Sequence, residues 1–254
     1  ISYLLVSQDY VKWFVKKGAS DAELDPDTLD SFSELKMDGV DVEDYDAVFF
    51  ALSDFGQDET SGTIFVDPST LNSHIYKYLC DSFPADSVVC GMSPVISEKS
   101  IKSHSEVENF RQAYIEDGVA MERFIHWLEA EVASGREVTE WEASERLTAF
   151  RAEIPGYRGN SFENISGYGP NAALPHYSTP QTGSAVIRPF GLYLVDSGGQ
   201  YLTGTTDITR TIPMGECTEL EREDYTLVLK GMIDLSMSVF PRGTAGCQID
   251  SIAR

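Results

Sequence analysis

Alternation of apolar and polar residues in the first ninety positions predicts short strands interrupted by helices. Residues 1–7 and 10–16 are rich in β-branched and aromatic side chains, and the two-residue connection between them indicates a hairpin. The later elements expected here are a helix, a strand, a helix capped by Ser69 and a strand, over residues 27–35, 63–67, 69–79 and 87–91. Strands and helices mixed in this order are typical of a small α/β domain, which we place at residues 1–96.

Helical spacing of apolar residues dominates the next part of the chain. The polar segment 94–105 predicts a linker, and a long helix is expected over 106–132, where apolar side chains recur every three or four residues. A second helix should carry Trp141, Leu147 and Phe150 on its packed face. Capping boxes are predicted at the two helix starts, formed by Ser105 with Glu108 and by Thr139 with Glu142.

After Pro155 the pattern changes to glycine-rich, β-prone pieces, with strands expected over 186–187 and 192–211. A third long helix is predicted over 219–240. Its buried face should hold Leu220, Tyr225, Val228, Leu229, Met232, Leu235 and Val239. Helices followed by strands and a further helix form an α+β pattern, which we place at residues 97–254.

Composition narrows the class of protein. Of the 254 residues 42% are hydrophobic and 11% aromatic, as expected of a folded globular chain. Lys and Arg number 19 against 41 Asp and Glu, which gives a net charge of −22. So acidic a chain is a poor partner for nucleic acid or an anionic membrane, and neither is expected to bind it.

The four cysteines and the hydropathy pattern indicate where in the cell the protein is expected. Cys80, Cys90, Cys217 and Cys247 form no Cys-x-x-Cys pair, so a structural zinc site is not expected. Scattered cysteines in a chain of this size are usually reduced and buried, which favours a cytoplasmic location. The sequence holds no run of 18 apolar residues, so no membrane span is predicted.

Two aspartates stand eleven residues apart in the β-prone segment 192–211. Asp196 follows an apolar run and precedes a glycine pair, and Asp207 lies in the next β-prone run, so a hairpin or two adjoining strands could bring both to one pocket. Paired carboxylates normally hold a cation between them or share a proton, and oxygen ligands suit Mn²⁺, Mg²⁺, Ca²⁺ or, in mixed sites, Zn²⁺. The alternative is an ordinary turn, because aspartate beside glycine is a common turn former.

The amino-acid sequence around these aspartates resembles that of a known enzyme family. Leu-Val-Asp-Ser-Gly and Gly-Thr-Thr-Asp-Ile-Thr-Arg-Thr are similar to segments of the dinuclear metallopeptidases that include aminopeptidase P, prolidase and methionine aminopeptidase. The three-domain type of aminopeptidase P, an Xaa-Pro aminopeptidase, is the most similar. Further likeness lies in residues 94–108, in Asn-Ala-Ala-Leu-Pro-His-Tyr at 171–177 and in residues 230–254.

The resemblance implies a fold, a site and a reaction. The fold would be an α/β middle domain followed by the first half of a pita-bread domain. Asp196 and Asp207 match two of five ligands for two divalent ions, expected to be Mn²⁺ with Zn²⁺ as the alternative, and His176 matches the family's substrate-pocket histidine. A hydroxide bridging the two ions would attack the amide bond before proline in a peptide substrate. Homo-dimers are also implied.

The three other ligands of the family, one His and two Glu, belong to a segment that has no counterpart before Arg254. We therefore expect this chain to be a fragment that is inactive alone and lacks the metal ions. Two other functions are considered for the parent protein. One is prolidase, which takes dipeptides, and the other is a non-catalytic pita-bread module that binds peptides or proteins.

Overall fold

A computed structural model of the chain describes residues 2–16, 26–57 and 62–254. Two compact units divide the chain, the first ending at Ile101 and the second beginning at Lys102. No helix within the described ranges has the length and apolar character needed to cross a membrane.

The first unit begins with a three-stranded sheet in the order β1-β2-β3, formed by Ser2–Val6, Val11–Val15 and Val40–Asp44. The predicted hairpin is confirmed, since β1 and β2 pair antiparallel from Ser2↔Val15 to Val6↔Val11. β2 and β3 are parallel, and helix α1 (Pro26–Met37) forms the connection that parallel strands require.

The same parallel arrangement recurs after α2 (Val48–Gln57). Strands β4 (Ile64–Val66) and β5 (Val88–Cys90) pair parallel, with α3 (Ser73–Ser82) between them in sequence. The core of this unit consists of Phe14, Val48, Leu52, Ile64, Ile75 and Leu79. Helices that connect parallel strands and cover a sheet confirm the α/β class predicted for this part of the chain.

Two predictions for the first unit are wrong in detail. Helix α3 starts at Ser73, and its cap is Asn72, whose side chain accepts a hydrogen bond from the backbone N–H of His74. Ser69 instead donates to Asp67, which also binds the N–H of Ser93, and these bonds lower the pKa of the Asp67 carboxyl. The expected linker after residue 93 begins with a helix, α4 (Pro94–Ser100), whose proline occupies the first helical position, where no N–H is needed.

The second unit is built on two packed helices, α5 (His104–Ala133) and α6 (Glu140–Ala152). The capping box of α5 lies two residues before the predicted one, formed by Ser103 and Glu106. Thr139 caps α6 as predicted by accepting the N–H of Glu142. The Glu142 side chain does not complete that box, since it pairs with Arg136.

Eight short strands lie in this unit. They are β6 (Val138–Thr139), β7 (Tyr157–Asn160), β8 (Ile165–Tyr168), β9 (Val186–Ile187), β10 (Leu192–Ser197), β11 (Gly199–Tyr201), β12 (Gly204–Thr205) and β13 (Ile208–Pro213). Their sheet orders are β13-β10-β8, β12-β11-β7 and β6-β9. The buried face of the helices packs on strand residues such as Tyr193 and Val195 to form the core, which confirms the α+β class.

The third long helix differs most from its prediction. Helix α7 runs over Glu219–Ser236 and has no buried residue. Of the seven side chains expected on a buried face, six are exposed and Leu235 is half-buried. An amphipathic pattern specifies which face can be buried, but burial itself requires another element to pack there. A short helix, α8 (Gly246–Ile249), follows.

The expectation of buried cysteines is also wrong, because three are exposed and Cys217 is half-buried.

Candidate active site

Asp196 lies on the central strand of the sheet β13-β10-β8. Along β10 buried and half-buried residues alternate, so that Tyr193 and Val195 point into the core and Asp196 lies on the opposite face. In the pairing of β10 with β13, Asp196 is directly opposite Thr209. The Thr209 hydroxyl donates a 2.7 Å hydrogen bond to Oδ1 of Asp196, which fixes the orientation of the carboxylate.

The ten residues between the two aspartates do not form a simple hairpin. After β10 the chain leaves the sheet as a separate arm, β11 and β12, and returns to enter β13. The arm is closed at its base, where the N–H of Thr206 donates to the carbonyl of Gly199 and the N–H of Gly199 donates to Oγ1 of Thr206, both at 2.9 Å. This closure places Asp207, the residue after Thr206, next to the start of β13.

Gly198 is required at the base of the arm. A Cβ on this residue would lie 2.0 Å from the carbonyl oxygen of Thr206, far inside a permitted contact. The same oxygen accepts a 2.9 Å hydrogen bond from the hydroxyl of Ser161. The glycine that follows Asp196-Ser197 therefore allows two backbone segments to approach closely, which is one of the uses of glycine in a sheet.

Asp207 is exposed and stands two residues before Thr209. Asp207 directly precedes Ile208, which pairs with Ser197, the neighbour of Asp196. The predicted strand pair is thus present with an inserted arm. The structure brings the ends of β10 and β13 together, with Asp196 on one and Asp207 beside the other.

The donor set at these strand ends suits a hard divalent cation. Asp196 has one oxygen engaged by Thr209, and carboxylate oxygens are the ligands that Mg²⁺, Mn²⁺ and Ca²⁺ prefer. Within the described ranges, no group of three or more His, Cys, Asp or Glu side chains could hold a metal ion. Two carboxylates therefore fit as part of a metal site, and further ligands are needed for firm binding.

His176 lies in an exposed turn, apart from β10 and β13 in sequence. The segment that carries it is attached to β8, because Thr179 accepts the N–H of Ser166 at 3.1 Å and donates to its carbonyl at 3.0 Å. Ser166 pairs in turn with Val195, the neighbour of Asp196. The turn is therefore tied to the sheet that carries Asp196, one strand away.

The arm between the aspartates is held by a buried charged group. On β11, the Tyr201 hydroxyl donates to Oδ1 of Asp117 on α5, at 2.5 Å. Arg151 on α6 contacts the same carboxylate through Nε at 2.6 Å and Nη2 at 3.2 Å, and both charged side chains are fully buried. Burial, followed by the bond to Asp117, raises the pKa of the Tyr201 phenol. The hydrogen bonds of Asp117 thus connect α5, α6 and the arm that lies between β10 and β13.

Sequence reasoning missed the residues that support the site. Thr206 closes the arm before Asp207, and Thr209 binds Asp196. The Glu140 carboxylate accepts a hydrogen bond from Tyr177, the neighbour of His176. None of the three stands out in the sequence. The two threonines lie inside the Gly-Thr-Thr-Asp-Ile-Thr sequence motif, and that motif was the signal by which they could have been found. Glu140 had no such signal, because an acidic residue at a helix start is common whether or not it is buried.

Comparisons with known proteins match both units. The sequence model of Metallopeptidase family M24 matches residues 108–254, and that of the Creatinase/Prolidase N-terminal domain matches residues 1–106. A probable Xaa-Pro aminopeptidase P of Laccaria bicolor is 36% identical over 257 residues, covering 100% of this chain and 38% of the relative. Another of Tuber melanosporum is 44% identical over 66% of this chain and 27% of the relative.

Solved structures give the same result. An X-prolyl aminopeptidase from Caenorhabditis elegans, described as a cytosolic enzyme with a di-nuclear active site, superposes with a TM-score of 0.85 and 28% identity. That likeness covers 100% of this chain and 40% of the other. An Xaa-Pro dipeptidase from Bacillus anthracis shares the fold, with a TM-score of 0.72 and 20% identity over 100% of this chain and 65% of the other. The predicted α/β domain followed by part of a pita-bread domain is confirmed. The chain spans 38% of the length of the Laccaria bicolor relative and 40% of that of the Caenorhabditis elegans enzyme.

Proposed function

Because this chain belongs to metallopeptidase family M24, we propose that the protein carrying it is a metal-dependent aminopeptidase that releases the N-terminal residue from Xaa-Pro peptides. The observation that carries the proposal is the closed arm that brings Asp207 back beside the strand pair holding Asp196. The relatives named as Xaa-Pro aminopeptidases support the choice of substrate.

Asp196 and Asp207 would hold two divalent cations, Mn²⁺ by preference, together with ligands from outside this chain. When bound, such ions polarise the scissile carbonyl and supply the nucleophile for hydrolysis. Thr209 orients Asp196 by its hydrogen bond. His176 would contact the substrate, since its exposed turn is tied to β8 within the same sheet. We further propose a cytoplasmic enzyme that acts as a homo-dimer.

The decisive experiment measures hydrolysis by the full-length protein of a tripeptide with proline second, beside the matching Xaa-Pro dipeptide. Activity on the tripeptide should vanish with a chelator and return with Mn²⁺. Asp196→Asn and Asp207→Asn should reduce it to background, whereas Asp224→Asn on the exposed surface of α7 should leave it unchanged. Each removed carboxylate takes away charge and an oxygen ligand that the metal requires.

The outcomes separate the alternatives. Hydrolysis of the dipeptide but not the tripeptide would identify a prolidase. Metal-independent binding of peptides without any hydrolysis would identify a binding module and overturn the proposal. The 254 residues alone are expected to be inactive, because two carboxylates do not bind a divalent ion firmly; Xaa-Pro cleavage by this chain in isolation would contradict that expectation.

A further inference from the structure

Glu140 is the first residue of α6, and its side chain is fully buried. All four hydrogen-bond donors that the structure shows for its carboxylate are neutral groups. A buried carboxylate without a cation is expensive unless its oxygens are well bonded. The start of a helix favours a negative charge, and here it lies beside these four donors. Such an arrangement indicates a carboxylate that organises its surroundings.

Both oxygens of Glu140 bind the same stretch of chain. Oε1 accepts from the N–H of Tyr168 at 2.7 Å and from Nδ2 of Asn171 at 2.9 Å. Oε2 accepts from the Tyr177 hydroxyl at 2.8 Å and from the N–H of Ala185 at 3.2 Å. The four donors lie between residues 168 and 185, on both sides of His176.

The backbone of Glu140 binds the same region. Its N–H donates to the carbonyl of Ala185 at 3.0 Å, and its carbonyl accepts the hydroxyl of Ser166 at 2.7 Å. The preceding residue, Thr139, pairs with Val186 in the short sheet β6-β9. The ends of the segment that carries His176 are therefore both fixed at the start of α6.

Tyr177 links this carboxylate to the turn most directly, because it follows His176 in the chain. Burial and the bond to Glu140 raise the pKa of the Tyr177 phenol to about 12, so the hydroxyl remains a donor at neutral pH. Asn171 donates to both groups, to Glu140 and, at 3.1 Å, to the Tyr177 oxygen. The three side chains form one closed network.

We propose that Glu140 is a positioning residue, whose carboxylate holds the turn bearing His176 in place beside the sheet of Asp196 through Tyr177 and Asn171. This inference rests on the proposed function, in which His176 contacts the substrate. Glu140 itself is buried and touches no reacting atom. A carboxylate is needed because it offers acceptor sites to all four donors, whereas an amide at the same place supplies one oxygen only.

The test uses the full-length protein with Glu140→Gln, Tyr177→Phe and the matched control Glu145→Gln, an exposed residue of the same helix. Hydrogen exchange of residues 170–183 in the metal-free protein should become faster in the first two variants and remain unchanged in the control. Tyr177→Phe removes a single hydroxyl and keeps the ring, so it serves where Glu140→Gln fails to fold. Unchanged exchange in a folded Tyr177→Phe or Glu140→Gln variant would overturn the proposal.

Activity then shows whether the network acts through His176. Tyr177→Phe should lower kcat/KM for the tripeptide by about 10- to 100-fold, since small displacements of a substrate-contacting group have effects of this order. The double variant His176→Ala/Tyr177→Phe should be no worse than His176→Ala alone. Losses that multiply would mean that Tyr177 acts independently of His176, and the positioning assignment would be wrong.

Failure of the proposed function can be distinguished from failure of the proposal for Glu140. A wild-type protein that cleaves no Xaa-Pro peptide would refute the aminopeptidase, while the exchange of residues 170–183 would still decide whether Glu140 holds the turn. Faster exchange with unchanged tripeptide hydrolysis would refute the link to catalysis alone.

Discussion

The Tyr201 hydroxyl donates a 2.5 Å hydrogen bond to the carboxylate of Asp117, 84 residues earlier in the chain. Tyr201 belongs to the arm between Asp196 and Asp207, and Asp117 belongs to the long helix α5. The bond therefore fixes the arm on the helical layer. A residue pair with no apparent connection in sequence thus supports the arm that returns the chain to the strand pair β10-β13.

Tyr201→Phe should destabilise the full-length protein at neutral pH by about 1.5–3 kcal/mol, the usual range for a hydrogen bond to a charged group. The folded protein raises the pKa of this phenol, so the neutral form is favoured by folding. That stabilisation is complete below the ordinary tyrosine pKa of about 10 and is lost as the pH rises through the folded value.

The difference in unfolding free energy between wild type and Tyr201→Phe should accordingly shrink above pH about 10, as measured by urea denaturation across the alkaline range. Tyr225→Phe, at an exposed tyrosine of α7, is the control and should show no such trend. A difference that stays constant or grows with pH would contradict the assigned direction of the pKa shift.

Arg151→Met should cost about 3–5 kcal/mol, because it leaves the buried Asp117 carboxylate without its cation. The matched control is Arg158→Met at an exposed arginine, for which a change within about 0.5 kcal/mol is expected. Urea denaturation followed by fluorescence measures both. An equal, small effect at the two positions would show that the buried pair contributes little.

Two glycines should respond in opposite ways to alanine. Gly118 lies inside α5 with ordinary helical backbone and open space around its missing Cβ, so Gly118→Ala should stabilise by about 0.5–1 kcal/mol. Gly198→Ala would place a methyl group 2.0 Å from the carbonyl of Thr206 and should destabilise the arm. Thermal unfolding of both variants checks the pair, and a stabilised Gly198→Ala would rule out the close approach.

Thr209→Val should weaken metal binding by about 10- to 100-fold, the range found when a hydrogen-bond partner of a metal ligand is removed. The Thr209 hydroxyl orients Asp196, and valine keeps the shape of the side chain while deleting that bond. Thr205→Val is the matched control, since its hydroxyl contacts only the exposed Gln200. Mn²⁺ titration of the metal-free full-length protein measures the affinity. Equal affinities in all three proteins would show that Asp196 needs no support from Thr209.

Local patterns in the sequence were sufficient to predict most of the helices and strands. The β1–β2 hairpin, the helices α5 and α6 and the β-prone run around Asp196 follow from spacing, because strand and helix periods are properties of adjacent residues. The resemblance to the sequence motifs of the family added the candidate residues Asp196, Asp207 and His176, whose roles stay predictions. Errors at the starts of α3 and α5 concern caps, for which several neighbouring polar residues were equally suitable by type.

The sequence by itself determined the strand and helix periods, the two fold classes and the closely spaced aspartates. Only the tertiary structure decided which faces are covered and which distant groups meet. Most of the amphipathic face of α7 is left exposed by the described part of the chain, although the segment at Ala253 packs against α7 at Gly231. Glu140 is buried because residues 168–185 fold around it. Burial and hydrogen bonding between distant segments depend on the whole packed arrangement, and local spacing carries no record of them.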